Sequence, residues 1–144
     1  MRIFKPVLAG FALLTLFLLV PATPASAQGP KYLHALSDLR SARAYLQMDT
    51  RPDLANPVDH AIKEIDKAIN EMKKAAERDG KDIWVTPPPQ SGGNPAAPFH
   101  NAIRLLREAR ADVETGVDLP ENNGLRERSI KHIDDALVHL EPFI

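Results

Sequence analysis

The chain has 144 residues, a formal net charge of −1, 44% hydrophobic side chains and 26% charged ones. That composition suits one folded domain and excludes a disordered tail or a chain with many membrane spans. The first 27 residues hold Arg2 and Lys5 and no acid; without them the balance is −3, against the basic footprint of a nucleic-acid binder.

The chain opens with a targeting signal. Arg2 and Lys5 precede an apolar run from Val7 to Val20, Pro21 breaks it, and Ala25-Ser26-Ala27 follows. A charged head, an apolar middle and a small-residue site describe a secretory signal peptide cleaved after Ala27. The run is shorter than the roughly 20 residues a spanning helix needs, so no stable membrane anchor is expected after cleavage. The expected product, residues 28–144, is one domain, exported to the periplasm or beyond. The sequence contains no cysteine, which excludes disulfides, attachment through a lipidated cysteine and a c-type haem.

Four helices follow in chain order, each marked by apolar residues in steps of three and four. The first covers about Pro30 to Met48 with Tyr32, Leu36, Leu39 and Leu46 on one face. Asn56-Pro57 reads as the cap and first residue of a second helix, which continues to Asp79 through Val58, Ile62, Ile65, Ile69, Met72 and Ala76. A Pro/Gly-rich linker, 81–97, carries Pro87-Pro88-Pro89, Gly92-Gly93 and the sole tryptophan, Trp84. The third helix starts at Pro98 and runs to Thr115 with Phe99, Ile103, Leu106 and Val113. The fourth covers about Asn122 to Glu141 with Ile130, Ile133, Leu137 and Leu140. Gly80 and Gly116 fall where helix-ending glycines belong.

The second half repeats the first. ALSDLRSARA (Ala35 to Ala44) matches AIRLLREARA (Ala102 to Ala111) at six of ten positions. AIKEIDKAI (Ala61 to Ile69) matches SIKHIDDAL (Ser129 to Leu137) at five of nine. The offsets are 67 and 68 residues, so hairpin 30–79 corresponds to hairpin 98–144. The expected fold is all-α: an antiparallel up-down-up-down four-helix bundle built from two similar helical hairpins.

YLHALSDLRSARAYL (Tyr32 to Leu46), AIKEIDKAINEMKKAA (Ala61 to Ala76) and the DGKD turn (Asp79 to Asp82) resemble an uncharacterised family of small exported bacterial four-helix-bundle proteins. The resemblance implies the bundle and the export. It implies no activity and no functional residue.

Arg43 and Arg110 interrupt the apolar stripes at matching points of the repeat, and acids match on the partner helices: Asp66 with Asp134, Asp59 with Glu127. A guanidinium stays charged on burial and needs acceptors. These six residues are therefore expected to form two structural ion-pair clusters, an anion-binding cavity being the alternative. Trp84 is expected to plug an open end of the bundle; the alternative is an exposed ligand contact. In an alternating bundle, His34, His100, His139 and Met72 share one end, but helical angles turn His34 and His139 roughly 130–150° from their stripes. His132, Asp135 and His139 share the outer face of the fourth helix. No metal site or cofactor is expected, with His100, His132 and His139 the weak candidates. Glu64 with Lys67, and Lys67 with Glu71, read as a solvated face. With no G-x-S-x-G and no cysteine nucleophile, no enzyme is expected. The expected function is a binding or structural interaction module for an unknown protein or small molecule, the alternative being a haem- or metal-binding bundle.

Overall fold

A computed structural model describes residues 31–78, 80–84, 94, 96–116 and 124–144. The signal peptide, and residues 85–93 and 95 of the linker, lie outside the described residues. Helix α1 is Lys31–Met48, α2 is Ala55–Arg78, α3 is Pro98–Thr115 and α4 is Leu125–Leu140. No strand occurs among the described residues.

Helix α2 begins before the expected cap. A 3-10 turn, Pro52–Leu54, leads straight into Ala55, so Asn56 and Pro57 lie in the first turn. Proline is tolerated there because the first amide groups of a helix lack intrahelical partners. Pro98 does open α3. At the end of α2, Gly80 takes a left-handed φ of 66°. Its amide bonds Glu77 O at 3.2 Å and the Lys81 amide bonds Ala76 O at 2.9 Å, the paired closure of a Schellman motif. Gly116 has a different reason to be glycine. Its φ is −68°, but a Cβ there would lie 2.9 Å from Asp112 O.

The apolar stripes form one core. Leu36, Leu39, Leu46, Ile65, Met72, Leu106, Ile133 and Leu140 are all buried. Each such side chain contributes roughly 1.5–3 kcal/mol. Buried alanines accompany them at sevenfold spacing: Ala35 and Ala42 on α1, Ala102 and Ala109 on α3, Ala61, Ala68 and Ala75 on α2. Residues seven apart share a helix face, and small side chains there let backbones approach closely.

Helix α1 packs chiefly on α3, and α2 on α4. Their directions follow from contacts at the ends. Lys31, at the start of α1, donates to Thr115 Oγ1 at the end of α3 at 2.9 Å. Arg51, beyond the end of α1, lies 4.8 Å over the ring of Phe99 at the start of α3. Likewise Glu71 near the end of α2 pairs with Arg128 at the start of α4, and His60 stacks on His139. Both pairs are antiparallel, as are the two hairpins. The order of directions is therefore up, down, down, up, which corrects the expected alternation. The halves face each other across an approximate two-fold axis perpendicular to the helices, so each helix meets its own repeat mate head to tail.

This arrangement explains the long linker. Helix α2 ends and α3 begins at opposite ends of the bundle. An 18-residue helix is roughly 27 Å long, beyond the reach of a tight turn. The arrangement also separates the histidines expected together: His34 lies at the end opposite His100 and His139.

Candidate functional site

The two duplicated arginines hold their hairpins with the same geometry. Arg43 Nε donates to Asp66 Oδ1 at 2.7 Å and Nη2 to Oδ2 at 3.5 Å. Arg110 repeats this on Asp134 at 2.6 and 3.4 Å, and adds Glu114 at 2.8 Å. The bond to Asp134, helped less by Glu114, raises the Arg110 pKa above its ordinary range. The Arg43 and Asp66 side chains remain 35% and 45% exposed, so these are surface clasps between neighbouring helices rather than buried clusters. Asp59 and Glu127 are exposed, and neither bonds an arginine among the described residues. The structure thus assembles four of the six expected cluster residues, as two separate pairs.

Trp84 does not plug the bundle. It is 77% exposed, with the Arg40 guanidinium 5.9 Å from its ring. Arg40 also donates to Ile83 O at 3.0 Å, and the Trp84 amide donates to Asp82 Oδ1 at 2.8 Å. These bonds tie the start of the linker to α1 and leave the indole facing water.

The densest chemistry lies along the seam between α2 and α4, where the two-fold axis passes. Residues 64 and 132 are repeat mates, as are 67 and 135. On the axis a residue meets its own mate, so Glu64 faces His132. His132 Nδ1 donates to Glu64 Oε2 at 2.8 Å, Lys67 donates to Glu64 Oε1 at 2.7 Å, and Lys131 donates to Asp135 Oδ2 at 2.5 Å. Ligand atoms of Glu64, His132 and Asp135 all lie within 4.8 Å of one another. The bond from Lys67, and less strongly that from His132, hold the Glu64 carboxyl below its ordinary value despite burial. Lys131 does the same for Asp135.

The two ends of this seam are occupied differently. At one end Glu71, buried, bonds Lys74 at 2.8 Å and Arg128 at 2.9 Å. Burial is the largest influence on Glu71 and opposes its charge, but the bonds from Lys74 and Arg128 outweigh it and lower the pKa. The repeat mates of Arg128 and Glu71 are His60 and His139. These stack at the other end with centroids 5.1 Å apart and planes 23° from parallel.

Sequence reasoning missed Glu64, which read as half of a solvated Glu64–Lys67 pair; its side chain is only 16% exposed. The signal was available in the repeat, because a mate of Glu64 is a histidine. It also missed Asp38, fully buried on α1 where the repeat has Leu105, and it paired Glu71 with Lys67 rather than with Lys74 and Arg128. Of the weak metal candidates, His132 joins Glu64 and Asp135, whereas His139 stacks on His60 and His100 lies edge-on to Phe99. No helix among the described residues is long and apolar enough to cross a membrane. The chain matches no protein family, curated protein or solved structure with which it was compared.

Proposed function

We propose that this chain is an exported bacterial helical-bundle protein, of the uncharacterised small exported type it resembles, and acts as a non-enzymatic binding or structural interaction module. Its site of export is the periplasm or the medium, and its partner is a protein or small molecule rather than nucleic acid or membrane. Support for export is the leader pattern ending at Ala27. Support for binding is chiefly one observation: a tryptophan 77% exposed, fixed at its backbone and flanked by a guanidinium. Large aromatic rings with an arginine beside them are overrepresented at the energetic centres of interfaces. The clasped hairpins make a rigid support for such a contact.

The test is native mass spectrometry of the protein isolated from its own host, with Trp84→Ala alongside. The expected result is a chain starting at Gln28 that retains a ligand or partner, and loses it in Trp84→Ala. Exported material still carrying residues 1–27 contradicts the processing. A partner retained equally by Trp84→Ala contradicts the role of Trp84. The alternative, a haem or metal bundle, is favoured in its metal form only, since His60 and His139 stack directly on each other and the seam trio is sized for an ion.

A further inference from the structure

We propose that Glu64, His132 and Asp135 form a divalent transition-metal site across the α2–α4 seam. His132 and Asp135 are three residues apart on α4 and so share a face. Glu64 reaches the same point from α2, because the axis places it opposite its mate. The donor set is one imidazole nitrogen and two carboxylate oxygens, which suits zinc and its neighbours in the first transition row better than calcium or magnesium.

The ligand atoms lie within 4.8 Å of one another. A tetrahedral ion bound at about 2.0–2.1 Å needs ligand separations of roughly 3.3 Å, a closure that side-chain torsions can supply. The Glu64 and His132 side chains are 16% and 21% exposed, and Asp135 is 40% exposed, so the trio lies in a partly dry groove with access from solvent. Three protein ligands leave a further position for water. The ion enters between His132 and Glu64, displacing the hydrogen bond between them and any proton on the ligating imidazole nitrogen.

Two lysines oppose the ion and set its affinity. Lys67 and Lys131 currently hold Glu64 and Asp135, at 2.7 and 2.5 Å. Their side chains are 56% and 68% exposed and can swing into water when the ion arrives. Because their charge stays nearby, binding is exchangeable rather than permanent. The site is independent of Trp84, so either proposal can fail alone.

The experiment is equilibrium dialysis of the mature chain, residues 28–144, against zinc chloride, with cobalt(II) absorption as a geometric probe. One zinc ion per chain is expected, with cobalt giving visible bands of a low-symmetry nitrogen–oxygen site. Glu64→Gln and Asp135→Asn should each weaken zinc by at least about tenfold while circular dichroism stays unchanged. His132→Ala should do the same; if that variant does not fold, the two isosteric variants decide. Lys67→Met should tighten zinc several-fold, an effect with no counterpart in a merely structural role. His100→Ala and Trp84→Ala should leave the affinity as it was. Zinc binding that survives Glu64→Gln and Asp135→Asn, or no binding at millimolar zinc, overturns the proposal. An affinity unmoved or weakened by Lys67→Met overturns it as well.

Discussion

At the scale of single residues, exposure decides what each charge contributes. The Arg43–Asp66 and Arg110–Asp134 pairs have good geometry, but water reaches about a third or more of every partner. Asp66→Ala should therefore cost about 0.5–1 kcal/mol in urea melts, far from the 3–5 kcal/mol of a fully buried pair. Arg43→Met should be close to neutral, and both effects should shrink in salt. Losses above about 3 kcal/mol would mean that the arginines are enclosed. Glu71 is different because it is buried. The fold holds its carboxyl below the ordinary value of 4.5, so folding favours the charged form. Its contribution is complete above 4.5 and is lost as pH falls through the folded-state value. Thermal melts between about pH 6 and pH 3 should show a shallower acid slope for Glu71→Gln than for the parent. Equal slopes would place the acid sensitivity elsewhere.

At the scale of elements, the alanine rows and the glycines carry the packing. Ala42 on α1 and Ala109 on α3 are fully buried, so Ala42→Leu or Ala109→Leu should overpack the core and cost about 1–3 kcal/mol. Ala44 and Ala111, a repeat pair facing solvent, should accept leucine within about 0.5 kcal/mol. Denaturant melts of the four variants separate the two classes, and similar costs for both would contradict the close approach of the helices. Gly80→Ala should cost about 1 kcal/mol from its positive φ alone, because nothing lies within 4 Å of the added Cβ. These elements were largely legible in advance. The three- and fourfold apolar spacing located all four helices, Pro98 marked the start of α3, and the matched stripes exposed Arg43 and Arg110, though not which of Asp59, Asp66, Glu127 and Asp134 each would bond. The start of α2 was less legible, because Pro52 and Pro57 both offer a beginning and only the buried Leu54 shows that the earlier turn belongs to the core.

At the scale of the whole molecule, the direction of the second hairpin was the part the sequence could not express. The same apolar stripe on α3 can cover α1 in either direction, since periodicity along a helix is unchanged when the helix is reversed. Only contacts between ends, such as Lys31 with Thr115, distinguish the two. That choice governs the candidate site as well. With alternating helices, Glu64 and His132 would not meet at an axis, and the row from Glu71 and Arg128 to His60 and His139 would not exist. The missing cysteines make the choice directly measurable, because two introduced thiols have no competitors. His60→Cys with His139→Cys, treated with a short bifunctional thiol reagent and resolved by intact and peptide mass, should cross-link rapidly within one chain. His34→Cys with His139→Cys, which an alternating bundle would place at one end, should not. Fast cross-linking of the second pair and none of the first would contradict the antiparallel pairing of α2 with α4, and with it the seam on which the site is built.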